Sequence, residues 1–363
     1  MRITFILPGY PWKPVGGFRV VYEYANHLVA RGHEVSIVHP RNLSNADPLP
    51  PSTLYSRLWR KAIRFRNRMF KPGVSWQPLD KRVRMFYRRE PVSEFIPDGD
   101  VVFATAWQTC QVVSQCPSSK GRKFYLVQDF YPYLGSRSDI EKTWQLPFKK
   151  VIISSWLRDL VVESGVNESE AVVIPIGVDP QRFPILKAIE GRPKRVAMMY
   201  STGNYKASQD GLQALDICRK RMVSFEAILF GPGRKPKTDP PWIEYRKNVK
   251  EEDLVKIYNS SSIFLSSSLA EGFALPPAEA MACGCAVAAT DSGGIREYAE
   301  EGETALLSPP GDPEKLAGNL MRLLEDDHLR MRLAQAGHER IMDFTWQRSA
   351  DLLERFLSEA VGG

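Results

Sequence analysis

The opening of the chain restricts its fold more than any other stretch. Ile3 to Leu7 is an apolar run that reads as a strand, and it is followed by a loop, 8–17, carrying the pair Gly16-Gly17. From Phe18 to Arg31 the apolar residues fall at Val20, Val21, Tyr24, Ala25, Leu28 and Val29, the rhythm of an amphipathic helix. Gly32 closes it, and Glu34 to Val38 is a second strand. Strand, glycine loop, helix, strand is a βαβ crossover, and its two strands must lie parallel in one sheet.

The pattern returns along the chain. Strands are expected at 101–104, 124–127, 151–153 and 172–176, then at 195–200, 226–230, 263–265, 286–289 and 305–307. In the second half helices fall at about 209–221, 251–260, 278–283, 293–300 and 313–326. A polar linker, 180–193, separates the two series. With 363 residues the chain has room for two domains. We divide it at 1–177 and 178–343, with 344–363 as a closing helix that crosses back to the first domain. The fold class is α/β, two doubly wound Rossmann-like domains facing a central cleft, and in such folds ligands bind at the carboxyl ends of the strands.

Hydrophobic residues make up 43% and charged residues 25%, the balance of a globular protein. No apolar run nears the roughly 20 residues that span a bilayer, and the N-terminal run is too short for a signal peptide. The five cysteines include a Cys283-x-Cys285 pair with no further Cys or His pair at zinc spacing, so no metal is expected, and the compartment implied is a reducing cytoplasm. The only D-x-D, Asp98-Gly-Asp100, reads as a loop. The histidines at 27, 33, 39, 328 and 338 read as surface or helix-end residues, and Trp107, Trp144 and Trp156 as core.

Charge is uneven. Residues 1–150 carry 24 Lys/Arg against 11 Asp/Glu, while the rest carries 25 against 31. Most of the excess lies in 55–90, with twelve basic residues and two acidic ones. There Leu58, Ala62, Phe65 and Met69 share one side of a helix with Trp59 and Phe70, and Arg57, Arg60, Lys61, Arg64, Arg68 and Lys71 fill much of the remainder. Such a helix suits the interface of an anionic membrane, at the inner face of which the protein would be peripheral; it would equally suit a core helix with a solvated basic face. Lys81 to Arg89 alternates like an edge strand. Nothing else resembles a nucleic-acid module, and nucleic acid is not expected as a partner.

One stretch carries the chemistry. Glu271-Gly-Phe-Ala-Leu-Pro-Pro-Ala-Glu279 places two carboxylates around a turn, and Pro276 and Pro277 suit the first turn of a helix. Glu271 then lies before the helix and Glu279 one turn inside it, where free N–H groups and the dipole favour an anion. A capped helix with two solvated glutamates would look the same in isolation.

Ordered neighbours give the stretch its meaning. Val173-Ile-Pro-Ile-Gly-Val-Asp-Pro180, Phe230-Gly-Pro-Gly233, Glu271-Gly-Phe-Ala-Leu-Pro276, Ala278-Glu-Ala-Met-Ala-Cys-Gly-Cys-Ala-Val287, Asp291-Ser-Gly-Gly-Ile-Arg-Glu297 and Gly311-Asp-Pro-Glu314 follow one another. This series resembles the retaining nucleotide-sugar glycosyltransferases of GT-B fold, family 4, strongly over 170–350, fairly over 1–40 and poorly over 41–170. The resemblance implies that Glu271 meets the donor sugar and Glu279 the nucleotide ribose. The N–H groups of Phe273, Ala274 and Leu275, with Gly16 and Gly17 opposite, would hold the diphosphate, and the base would sit near Phe230–Gly233 and 246–249, including Val249.

Two departures stand out. The family usually has an Arg and a Lys, five residues apart, at the diphosphate; here Lys206 matches the lysine but Ser201 holds the arginine position, leaving Arg234 as a substitute. A histidine common after the strand at 124–127 is replaced by Gln128-Asp129, expected to touch sugar or acceptor, with Asp129 in a catalytic role beside Glu271 and Lys206. The run Tyr125 to Tyr133 resembles a rhamnosyltransferase-like branch, which would imply a dTDP-linked deoxysugar rather than a UDP- or GDP-linked one. The expectation is an enzyme that transfers a sugar from a nucleotide-diphospho-sugar to a glycan or lipid-linked acceptor, with no cofactor. A non-catalytic partner subunit or a GT-B sugar-nucleotide epimerase is the alternative.

Overall fold

A computed structural model describes residues 1–10, 14–40, 74–88, 93–130, 137–221, 224–233, 235–236 and 240–362. The first sheet holds β1 (Arg2–Ile6), β2 (Glu34–Pro40), β3 (Arg84–Arg88), β4 (Val101–Ala104), β5 (Arg122–Val127), β6 (Lys149–Ile152) and β7 (Ala171–Val173). The second holds β8 (Arg195–Met199), β9 (Glu226–Gly231), β10 (Ile243–Lys247), β11 (Ile263–Ser266), β12 (Ala286–Thr290) and β13 (Leu306–Ser308). Their spatial orders are β3-β2-β1-β4-β5-β6-β7 and β10-β9-β8-β11-β12-β13. Neighbouring strands pair in parallel throughout, as β1 with β2 and β4, and β8 with β9 and β11. The two sheets therefore repeat one winding, and the expectation of two doubly wound domains holds.

The helices are α1 (Gly16–Ala30), α2 (Trp107–Ser114), α3 (Arg137–Trp144), α4 (Ser155–Glu163), α5 (Ser208–Lys220), α6 (Glu251–Asn259), α7 (Leu275–Ala282), α8 (Pro313–Glu325), α9 (Asp327–Ile341) and α10 (Trp346–Gly362). Central strands such as β4 and β12 are buried along their whole length, as helices on both faces of a parallel sheet require. Helix starts follow local chemistry. Asp312 caps α8 by accepting from the Lys315 amide at 3.0 Å, with Pro313 in the first turn, and Asp326 caps α9 through the Leu329 amide at 2.9 Å.

The closing helix α10 returns to the first sheet's side of the molecule. Trp346 packs edge-on to Tyr24 of α1, Phe356 packs on Phe124 of β5, and Arg31 pairs with Asp351 at 2.6 Å. Where it departs, a Cβ at Gly177 would lie 2.2 Å from the Trp346 nitrogen, so only glycine fits the crossing.

Some expectations need correction. Residues 293–300 are not an α-helix but a short 3-10 turn, Gly294–Glu297, because Gly293 takes a positive φ and the Glu297 carboxylate is drawn to the Ser155 amide. The strand β10 was not foreseen: Ile243-Glu-Tyr-Arg-Lys247 is an edge strand, and its charged residues hide the alternation. His39 is neither at the surface nor at a helix end. It lies on β2, one strand in from the edge, stacked on Tyr87 and within 3.2 Å of the Tyr22 hydroxyl; burial lowers its pKa to about 4. The edge strand expected from Lys81 to Arg89 is β3. The basic helix expected from 55 to 71 lies outside the described residues.

Candidate active site

Each sheet has its switch point between its first strand and the next strand out, β1 with β4 and β8 with β11. The loops after these strands carry most of the residues singled out from sequence. Gly16 and Gly17 follow β1, the segment from Ser201 to Lys206 follows β8, and Glu271 follows β11. Gln128 and Asp129 follow β5, beside Thr105, which follows β4. Two switch points thus face one cleft, the place where doubly wound folds bind ligands.

Glu271 is 7% exposed and its backbone is bridged to Gly293. One carboxylate oxygen, Oε1, accepts from Lys206 Nζ at 2.5 Å and from the Ser268 hydroxyl at 2.6 Å. Burial opposes the lysine's charge, but Glu271 and Tyr205 outweigh it and raise its pKa, so the lysine keeps its proton. Ser268 is in turn fixed by Thr290, whose hydroxyl donates to the Ser268 carbonyl at 2.5 Å.

The turn between the glutamates opens α7. Ala274 takes a left-handed φ of 65°, uncommon for a residue with a Cβ, and Tyr298 holds it by donating to its carbonyl at 2.5 Å. Phe273 is buried against Tyr298 and Phe344. Pro276 and Pro277 have no N–H, so the backbone donors of this helix end are those of Phe273, Ala274 and Leu275. Glu279, 5% exposed, lies one turn in; Arg19 Nη1 donates to its Oε1 at 2.6 Å and the Tyr258 hydroxyl to its Oε2 at 3.3 Å. Burial pushes the Glu279 carboxyl up and Arg19 opposes the shift.

The first sheet meets this turn closely. A Cβ on Gly272 would sit 1.9 Å from the Gln128 carbonyl oxygen, and one on Gly293 would enter the Trp156 ring. A Cβ on Gly17 would lie 3.5 Å from the Gln128 side-chain amide, and one on Gly16 4.0 Å from Leu275 Cδ1. Gln128 donates through Nε2 to the Thr105 carbonyl at 3.1 Å, while its Oε1 is buried with no hydrogen-bond partner. Asp129 is half-buried, and burial pushes its carboxyl from 3.8 to about 6. Both it and Glu271 help to raise the pKa of Tyr205, which is due first to burial, so all three share one electrostatic neighbourhood.

The nucleotide side is less crowded. Tyr245 donates to the carbonyls of Gly231 and Gly233 at 3.2 and 3.0 Å, holding the Gly-Pro-Gly turn against β10. Val249 is partly buried beyond it. Ser201 does not replace an arginine: its hydroxyl accepts from the Gly203 amide at 3.2 Å and shapes the turn before Lys206. Arg234 lies outside the described residues.

Sequence reasoning missed Arg19. It donates through Nη2 to Glu251 Oε2 at 2.6 Å as well as to Glu279, and Glu251 also takes Arg182, which pairs with Glu23. This chain of charges joins α1 and the connection after β7 to α6 and α7. A signal existed: Arg19 sits in the first turn of α1, where the helix dipole disfavours a cation, and that turn contains no acidic residue. Ser268, the second donor to Glu271, carried no such mark.

Residues 243–340 match the family described as glycosyl transferases group 1. A mannosyltransferase of Mycolicibacterium hassiacum, named MMP alpha-(1->4)-mannosyltransferase, is 27% identical over 62% of this chain and 56% of its own length. A D-inositol 3-phosphate glycosyltransferase of Corynebacterium jeikeium is 35% identical over 46% of this chain and 36% of its own. The chain thus spans about half, or less, of the length of these curated relatives. Among solved structures, Anabaena Alr3699/HepE in complex with UDP and glucose superposes with a TM-score of 0.75 at 15% identity, covering 99% of this chain and 100% of that one. Sucrose-phosphate synthase of Thermosynechococcus elongatus gives 0.72 at 17% identity, with 99% of both chains covered. Identities this low speak to the fold alone, which is the GT-B arrangement.

Proposed function

We propose that this chain, which carries a group 1 glycosyltransferase domain over residues 243–340, transfers a sugar from a nucleoside diphosphate to a glycan or lipid-linked acceptor with retention at the anomeric carbon. In this reading the second sheet holds the donor and the first receives the acceptor. The observation that carries it is the buried Glu271, gripped by Lys206 and Ser268 at the open end of α7 and faced across the cleft by Gly16 and Gln128.

The geometry supports the chemistry as follows. Breaking the anomeric C–O bond leaves an oxocarbenium-like sugar and a diphosphate that gains negative charge. The N–H groups of Phe273, Ala274 and Leu275 and the positive end of α7 are aimed where that charge grows. Lys206 has three donors, so it can keep Glu271 and still reach a phosphate oxygen, doing the work that a metal does elsewhere. Glu271 then orders the sugar hydroxyls, and Gln128, with its unused amide oxygen, accepts from another. Glu279 takes the ribose. Asp129 stands close enough to act on sugar or acceptor.

The test is release of nucleoside diphosphate across a panel of dTDP-, UDP- and GDP-sugars without added acceptor, the dTDP-deoxysugars first because of the Tyr125–Tyr133 run. Slow turnover of one donor, with the donor's own anomeric configuration retained in the hydrolysed sugar, is expected. No turnover of any donor would favour the non-catalytic partner, and conversion of a donor to its epimer would favour the epimerase. The basic stretch 55–90 supports an acceptor presented at an anionic membrane. No helix among the described residues is long and apolar enough to cross one. Charge removal at Arg60, Lys61, Arg64 and Arg68 should reduce sedimentation with phosphatidylglycerol vesicles; unchanged sedimentation would remove the membrane from the account.

A further inference from the structure

Three observations about Arg19 belong together. Its guanidinium, 18% exposed on the side chain, bridges Glu279 and Glu251, both at 2.6 Å, and lies over the Phe183 ring at 5.5 Å from its centroid. It therefore occupies the carboxylate oxygen that the ribose would need. Second, it rises from the first turn of α1, three residues after Gly16, and Gly16 lies against Leu275 at the diphosphate end of α7. Third, the position where the resemblance leads one to expect an arginine holds Ser201, whose hydroxyl is used within its own turn, so Lys206, which shares its charge with Glu271, is left without that second cation.

A cation at a helix N-terminus is unfavourable unless an anion stands next to it. In the closed, donor-free arrangement that anion is Glu279. A ribose hydroxyl donating to Glu279 would displace the guanidinium, and Tyr258 would keep the other carboxylate oxygen satisfied. Glu251 would not be left bare either, because Arg182 holds both of its oxygens. The released guanidinium keeps Glu251 on Nη2 and has Nη1 open, and the diphosphate enters between the ends of α1 and α7. Its planar fork of donors matches phosphate oxygens in a way that a lysine ammonium does not.

We propose that Arg19 is an exchangeable cation of the donor site: it neutralises Glu279 while the site is empty, yields that carboxylate to the nucleotide ribose, and moves onto the diphosphate, bringing from the first domain the charge that Ser201 does not carry. The proposal rests on the donor-site reading above and adds a residue from the opposite domain to it. The group it recognises is a nucleoside diphosphate, whichever base is attached.

The test is calorimetric titration of the full chain with UDP, dTDP and GDP and with the matching nucleosides, in the wild type, Arg19→Gln, Arg19→Lys and Glu279→Gln. The readout is the ratio of diphosphate to nucleoside affinity. Arg19→Gln should lower that ratio about tenfold to a hundredfold, the usual weight of a charge-assisted phosphate contact, with nucleoside affinity equal to or above wild type because the competitor for Glu279 is gone. Arg19→Lys should recover part of the ratio, and Glu279→Gln should weaken both ligands and leave the ratio intact. If the wild type binds a nucleoside diphosphate and Arg19→Gln keeps the full ratio, whether both affinities rise, fall or stay, the Arg19 proposal is overturned and the donor site stands. If the wild type binds none of the diphosphates, the donor-site reading falls and takes the proposal with it. Thermal unfolding of each variant reports its fold, and Arg19→Lys, which keeps the charge, answers the question if Arg19→Gln fails to fold.

Discussion

Glu271 and Glu279 make an instructive pair. They flank one turn, both are nearly sealed from solvent, and each pairs with a cation at 2.5–2.6 Å. Yet Lys206 comes from the same domain as its partner, and Arg19 comes from the opposite one. The Glu271–Lys206 pair is built into the second sheet's loops and survives any opening of the cleft. The Glu279–Arg19 pair spans the two domains and would be broken by any opening of the cleft. A buried carboxylate stripped of its cation is costly, so opening the donor-free protein must expose Glu279 to water or leave it protonated. The first site is preformed; the second is conditional on domain position.

The largest effect should come from the preformed site. On the proposed reading Glu271→Ala removes the contact to the donor sugar and leaves Lys206 without its buried anion, and the transfer rate should fall by about a thousandfold, the upper end of the losses seen when a group meeting the developing charge is removed. A variant that retains full transfer would separate Glu271 from the chemistry. Lys206→Met should follow, with a fall in kcat of about a hundredfold and a smaller change in KM, because the charge acts mainly on the leaving diphosphate. If KM alone rises, Lys206 binds donor and transition state alike, and its role is positioning.

The conditional site can be attacked away from the donor. Arg182 ties Glu23 of the first domain to Glu251 of the second, and Gln77 donates to Glu23 at 2.7 Å. Arg182→Ala should destabilise the protein by about 2 kcal/mol, between the cost of breaking an exposed pair and that of breaking a fully buried one. In urea unfolding the single transition should broaden or split as the domains uncouple. An unchanged single transition would mean that α10 and the close contacts at Gly272 and Gly293 hold the domains together by themselves.

This comparison also explains what the sequence could reveal. The inner strands follow from continuous apolar runs, because parallel strands are buried on both faces, and most helices from apolar periodicity; the charged edge strand β10 and the 3-10 turn at 294–297 do not. The half of the proposed donor site on the second sheet was legible because its residues follow two neighbouring strands of one domain: Lys206 after β8, Glu271 after β11, Glu279 in α7. Arg19 was not, because its partners Glu251 and Glu279 are more than 230 residues away and belong to another sheet; only its position in the first turn of α1 hinted at an unmet charge. Ser201 was recognised as a departure, but not its work inside the turn. His39 was misread because burial of a strand residue depends on the neighbour strand β3, which no local pattern around His39 announces.

The smallest effect concerns Asp129, where the two halves of the cleft meet. Burial raises its carboxyl from 3.8 to about 6, so the folded protein holds this proton more tightly than the unfolded chain does. The sign follows: Asp129 favours folding below about pH 4, and that contribution is lost as the pH climbs to 6 and above. At pH 8 the ionised group in its half-buried place costs about 1–2 kcal/mol, less than the full shift would give because solvent still reaches it. Asp129→Asn should therefore raise the urea midpoint at pH 8 and change it little at pH 4. Transfer provides the second reading. If the carboxylate is the form that acts on sugar or acceptor, the wild-type rate rises through about pH 6 and the variant lacks that limb. A variant that gains stability at pH 8 yet keeps the same rising limb would place Asp129 in the wall of the cleft and return the chemistry wholly to the Glu271 side.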